Sequence, residues 1–168
     1  ALDVVERLSS LAYRAGVAMT SGELPEVPVT GDRQALVQML TNLIENAIKY
    51  AGGRGKHVQV ETGETRIDGK HMGWVRIEDD GPGIPTEHLP HLFDRFYRVD
   101  KARSRQSDHA GEEDDQKAPD GSGLGLSIVQ WVAEAHNGKV VVQSEEGNGT
   151  VFLVYLPWRE APPEDFSD

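Results

Sequence analysis

The sequence predicts an α+β domain: a two-layer α/β sandwich in which a mixed, mostly antiparallel sheet has helices packed on one face. Residues 57–64 with 72–79, and 139–144 with 150–156, read as two strand pairs. Each is joined by a turn signal, Asp68-Gly69 in the first and Gly147-Asn148-Gly149 in the second. Helical stretches alternate with these pairs along the chain, and no internal repeat is visible.

In chain order, residues 2–15 place Leu8, Leu11, Ala12 and Ala15 on one helical face, and Gly16 ends that helix. Short extended pieces follow around residues 17–19 and 27–30. Asp32 is placed to cap a helix over residues 33–50, and Gly52, Gly53 and Gly55 stop it. Val58 and Val60 alternate in the next strand, as do Val75 and Ile77 in its partner. Pro85 opens a short helix over residues 85–92. The segment 99–120 has almost no large apolar groups and contains Glu112, Glu113, Asp114 and Asp115 in a row, so it reads as a mobile loop, of a length that is usually functional or disordered. A further helix starts in the glycine cluster at 121–125 and runs to about His136, with Gly138 after its end. The chain therefore divides into one domain over 1–157 and a flexible, proline-rich acidic tail over 158–168.

Composition sets limits on function. The 168 residues suffice for one domain with a real core, and 38% hydrophobic with 27% charged content is the range of a globular protein. The absence of cysteine excludes disulfides, zinc–thiolate sites and thiol catalysis. No run approaches the roughly 18 apolar residues that would span a bilayer. A net charge of -11 argues against a nucleic-acid surface and keeps the protein soluble. The chain begins at Ala1 within a predicted helix, as expected of part of a longer protein.

Residues 40–50 carry unusual chemistry. At about 100° per residue, Leu36, Leu40, Leu43, Ile44 and Ala47 gather on one side of the helix. Asn42, Asn46, Lys49 and Tyr50 gather on the other. An amide oxygen can ligate a hard cation, a lysine can meet a phosphate and a tyrosine ring can cover a base. Asp79-Asp80-Gly81-Pro82-Gly83 ends a strand; alone it reads as a plain turn or as a close approach to a ligand, with Asp79 able to accept from an adenine amino group. Gly121-Ser122-Gly123-Leu124-Gly125-Leu126 leads into a helix and reads as a phosphate cradle or a structural turn. It lacks the lysine of a Walker A loop. In Phe93-Asp94-Arg95-Phe96-Tyr97-Arg98 the two phenylalanines read as anchors of the long loop. Arg98 reads as a phosphate ligand or as a surface arginine beside Asp94 or Asp100.

The order and spacing of these motifs, closed by Gly147-Asn148-Gly149-Thr150, resemble the catalytic and ATP-binding domain of sensor histidine kinases, a Bergerat-type ATPase/kinase, from about residue 2 to Pro157. The most specific matches are Asn-Leu-Ile-Glu-Asn-Ala-Ile-Lys-Tyr (42–50) and Gly-Ser-Gly-Leu-Gly-Leu-Ser-Ile-Val (121–129). The resemblance implies ATP and Mg²⁺ as cofactors, with Asn46 the metal ligand and Asn42 supporting phosphates or metal waters. It implies Lys49 on a phosphate, Tyr50 near the adenine, Asp79 on the adenine amino group, and Gly81 and Gly83 beside the base. Arg98 would contact the γ-phosphate, and Gly121, Gly123, Leu124, Gly125 and Leu126 would wrap the triphosphate. Thr150 would lie near the adenine end, and 99–120 would be the ATP lid.

The implied reaction is phosphoryl transfer from ATP to a histidine, with Asn46 and Arg98 as the catalytic residues, and from there to a response regulator. The related gyrase, chaperone and mismatch-repair ATPases carry a glutamate one turn before the metal asparagine. This chain has Asn42 there, and an amide is a poor general base. Glu45 is a possible base by residue type, without an assigned place in the pattern. The family's acceptor histidine precedes an acidic residue and, shortly after, a proline. None of the six histidines fits, so the acceptor is expected on a separate dimerisation domain of the parent protein. The fragment itself is expected to be a cytoplasmic monomer that does not span a membrane, and the parent an inner-membrane sensor. Two alternatives on the same fold are a serine kinase of the anti-sigma type and a non-catalytic nucleotide sensor.

Overall fold

The computed structural model describes residues 1–52, 56–99 and 122–159. Helix α1 (Leu2–Arg14) buries Val4, Val5, Leu8 and Ala12. It ends in a Schellman turn: Gly16 takes φ +72°, and the Val17 N–H returns 2.9 Å to the Ala12 carbonyl. Strand β1 (Ala18–Ser21) follows, then helix α2 (Arg33–Ala51). Asp32 caps α2 as expected, accepting the Ala35 N–H at 2.7 Å. The buried stripe of α2 is Met39, Leu43, Ile44, Ala47, Ile48 and Ala51, with Leu36 and Leu40 only half-buried.

Strands β2 (His57–Ile67) and β3 (Lys70–Asp79) form a hairpin around Asp68-Gly69. Both run longer than their apolar alternation predicts, because pairing continues from Thr65–Met72 out to Ile67–Lys70 without burying new large side chains. A 3₁₀ helix (Thr86–His91) follows. Helix α3 (Gly125–Ala135), strand β4 (Lys139–Ser144) and strand β5 (Thr150–Pro157) complete the order. At the end of α3 the left-handed residue is Asn137 (φ +55°), not Gly138. The Gly138 N–H closes onto Ala133 at 2.8 Å. Glycine is required at 138 because a Cβ there would meet the Tyr155 carbonyl 2.2 Å away.

The sheet order is β1-β2-β3-β5-β4. Only β1–β2 is parallel, with α2 as the crossover; the other three pairings are antiparallel. Val58 and Val60, Val75 and Ile77, and Phe152, Val154 and Leu156 point to one face and meet the helices in a single core. Each such side chain contributes about 1.5–3 kcal/mol by leaving water. The opposite face presents Glu61, Arg76 and Glu78, with Arg76 bonded to both carboxylates. Two-layer packing, predicted above, is what the structure shows.

His136 ties α2 and α3 together. Its Nδ1–H donates to the Val132 carbonyl at 2.7 Å, so its Nε2 accepts the Asp32 N–H at 3.0 Å. The C-terminus of α3 thereby holds the N-terminus of α2. Trp158 and Arg159, assigned above to the tail, are bound to the domain. Trp158 stacks on His71 at 4.0 Å, and its N–H donates to the His71 carbonyl. The Arg159 N–H donates to the Pro28 carbonyl. Residues 160–168 and Gly53 and Gly55 lie outside the described residues. No helix among the described residues is long and apolar enough to cross a membrane.

Candidate functional site

A cavity of about 600 Å³ opens between α2, the end of β3, the segment before residue 100 and the start of α3. That volume is in the range of small-molecule sites. Asn42, Asn46, Lys49 and Tyr50, the polar face of α2, all line it and are all half-buried. Asp79 and Gly83 line it from the end of β3, and Thr150 from the neighbouring strand. Arg98, Gly123, Gly125 and Leu126 close the remaining side. Segments spread over more than a hundred residues of sequence thus meet at one cleft.

Three sequence-named glycine-motif residues stand differently. Gly81 and Leu124 support the walls without lining them. Gly81 packs where a Cβ would lie 2.7 Å from Asp79 Oδ1 and 2.9 Å from the Tyr50 carbonyl. Leu124 occupies the N-cap of α3, and its carbonyl accepts from the Ile128 N–H and the Ser127 hydroxyl. Gly121 and the lid segment beyond Val99 lie outside the described residues. Phe93 packs against the core as expected. Phe96 does not; it is 67% exposed. Its backbone is left-handed (φ +65°), which turns the ring outward and lets its N–H donate to the Gly123 carbonyl at 2.9 Å. The anchor is backbone, not side chain.

Asn42 is held by protein at both ends of its amide. Its Oδ1 accepts from Gln38 Nε2 at 3.0 Å, and its Nδ2 reaches the Gly125 carbonyl at 3.4 Å. Both ends of the amide hold protein, joining α2 to the glycine turn. The Asn46 side chain makes no hydrogen bond to the described residues and remains available to the cavity. The Lys49 ammonium sits 5.3 Å from the Tyr50 ring centroid.

Asp79 is 5% exposed and accepts the Gly81 N–H at 3.0 Å. Burial pushes its carboxyl up from 3.8 to about 6; the Gly81 hydrogen bond opposes this, and the charges of Asp80 and Glu78 add to it. The β4–β5 turn seats this residue. A Cβ at Gly149 (φ +81°) would lie 2.0 Å from the Asp79 carbonyl, and one at Gly83 (φ +69°) 2.0 Å from that of Glu145. The Gly147 N–H donates to the Pro82 carbonyl at 2.7 Å. This turn, read from sequence as a mere hairpin, is what fixes the floor of the site.

Sequence reasoning gave Glu45 no assigned place and left out Glu146 and Tyr97; all three line the cavity. Tyr97 had a signal in its place beside Arg98, but nothing in the pattern told its ring from the neighbouring phenylalanines.

The model of the histidine kinase-, DNA gyrase B- and HSP90-like ATPases matches residues 31–160. The chain belongs to this ATPase family. Within it, the domain is 34% identical over 139 residues to sensor histidine kinase WalK of Bacillus subtilis, covering 82% of this chain and 20% of that protein. It is 37% identical over 147 residues to sensor histidine kinase YkoH of the same species, covering 88% and 28%. The chain thus spans between a fifth and somewhat over a quarter of the length of these relatives. The mycobacterial sensor histidine kinase MprB superposes with a TM-score of 0.69 at 28% identity, covering 95% of both chains. Full-length ShkA in complex with AMPPNP superposes with a TM-score of 0.72 at 27% identity, covering 95% of this chain and 29% of that one.

An ATPase-family domain implies ATP, and the donor set here suits ATP with a magnesium ion. Among the described residues no three His, Cys, Asp or Glu side chains cluster as an all-protein metal cage. Mg²⁺ is commonly held by one or two protein oxygens together with substrate phosphates. The Asn46 amide oxygen, standing in the cavity without a protein partner among the described residues, fits that part.

Proposed function

We propose that this domain transfers the γ-phosphoryl group of ATP to a histidine on a separate dimerisation domain of its parent protein, from which it passes to a response regulator. The observation that carries this reading is the state of Asn42. One turn before Asn46, where a hydrolase needs a base, both ends of an amide are bonded to protein. An amide held in this way is a poor general base for activating water.

The remaining residues supply positioning and charge. Asp79 accepts from the adenine amino group and disfavours guanine, which presents a carbonyl there. Tyr50 packs near the base, and Thr150 lines the same end. Lys49 and Arg98 place positive charge on the phosphates, Arg98 at the transferred group. Backbone N–H groups of the glycine turn and the N-terminus of α3 add donors. Asn46 would hold Mg²⁺, which neutralises phosphate charge when bound.

The test is label transfer from γ-labelled ATP in mixtures of this domain with candidate acceptor domains. Acid-labile label on an acceptor supports the reading, and ATP turnover that yields only free phosphate sinks it. That second outcome would favour hydrolysis, for which Glu45 at the cavity rim is the candidate base.

A further inference from the structure

His88 stands just behind the cavity wall. It lies in the 3₁₀ helix, is 5% exposed, and its Nδ1 is 2.7 Å from the Tyr97 hydroxyl. The two rings are 6.1 Å apart and inclined at 53°. Tyr97 lines the cavity beside the glycine turn: a Cβ at Gly123 would meet the Tyr97 carbonyl at 3.1 Å, and Arg98 follows directly. His91 also packs near the Tyr97 ring, at 5.5 Å, but its Nδ1 pairs with Asp94.

A phenol has one proton to donate and two lone pairs. The bond to His88 uses one of these, and which one it uses decides what the cavity meets. If Nδ1 accepts, the phenolic proton is taken up and the cavity faces a bare oxygen, which repels phosphate. If Nδ1–H donates, the proton is left to turn into the cavity. Phosphate oxygens only accept, so a triphosphate beside Arg98 needs the second arrangement. We propose that His88 is a positioning residue: as the Nδ1–H tautomer it donates to the Tyr97 hydroxyl and aims that hydroxyl's proton at the phosphates of a bound nucleotide. The inference rests on the nucleotide reading above and extends it to a residue that does not touch the ligand.

The tautomer is directly measurable by ¹⁵N NMR of histidine-labelled domain, with and without a non-hydrolysable ATP analogue. A protonated Nδ1 and bare Nε2 at His88 in the complex is the expected result, and the opposite tautomer overturns the proposal. Calorimetry supplies a second readout. Tyr97→Phe and His88→Leu should each weaken ATP on the order of 10-fold, the scale of one hydrogen bond to a charged group, and leave adenosine unchanged. His88→Asn, with an N–H near the Nδ1 position, should restore most of the loss. Should His88→Leu fail to fold, Tyr97→Phe still decides. Unchanged ATP affinity in Tyr97→Phe, or equal loss of ATP and adenosine in His88→Leu, overturns the proposal alone. Wild-type domain that binds neither ligand removes the nucleotide reading and the proposal with it.

Discussion

The Gly81 N–H donates to Oδ1 of Asp79 across 3.0 Å, in the buried turn that ends β3. One carboxylate oxygen is thereby committed to the backbone, and the other is the acceptor left for a ligand. In Asp79→Asn the amide oxygen would keep the Gly81 bond and turn its NH₂ toward the adenine amino group, two donors face to face. ATP binding should weaken by about 1–3 kcal/mol, and GTP, with a carbonyl there, should lose less. Titration of both nucleotides against wild type and variant checks this; equal wild-type affinity for ATP and GTP counts against adenine reading.

The same substitution should stabilise the ligand-free domain at neutral pH. The folded Asp79 carboxyl titrates at about 6 against 3.8 when unperturbed, so between those values the folded state binds the extra proton. Stability from this group is complete below the lower value and is lost as pH rises through the higher one. Asp79→Asn removes that loss, with a gain of at most on the order of 3 kcal/mol for about two pKa units. Urea unfolding should show the gain at about pH 8 and little of it at about pH 4. An equal gain at both would place its cause elsewhere.

Much of this site was legible in the sequence because the α2 residues act through local geometry. Asp32 caps where a cap is needed, and helical periodicity puts Asn42, Asn46, Lys49 and Tyr50 on one face. Contacts set by distant backbone were not legible. Positive φ at Gly149 follows from its turn; that the turn presses on Asp79 does not. Phe96 reads as a core anchor until its left-handed backbone turns it outward, and the two bonds that engage Asn42 appear only when α2 meets the glycine turn. The parallel β1–β2 pairing has no local signal either.

The two glycines of the β4–β5 turn should therefore behave differently. Gly149→Ala sets a Cβ against the Asp79 carbonyl in a left-handed backbone and should cost about 2 kcal/mol or more, with weakened ATP binding. Gly147 is also left-handed (φ +89°) but a Cβ there meets nothing within 4 Å. Gly147→Asn should cost under about 1 kcal/mol, because asparagine tolerates that backbone. Thermal unfolding of the pair checks this, and equal losses would mean the close approach to Asp79 does not matter.

Asn46→Ala should abolish the tightening of ATP binding by Mg²⁺ while leaving metal-free binding nearly unchanged. Calorimetric titrations with magnesium and with a chelator separate the two. A variant that still responds to magnesium as wild type does would take the metal from Asn46.

The central claim is that this cavity hands phosphate to a protein histidine rather than to water. The most direct measurement follows γ-labelled ATP with the domain and a saturating acceptor domain, dividing the label among acceptor, this chain and free phosphate. The account predicts acid-labile label on the acceptor, none on this chain's own histidines, and little initial release of phosphate. Acid-labile label on this chain, or release of phosphate without transfer, would contradict it.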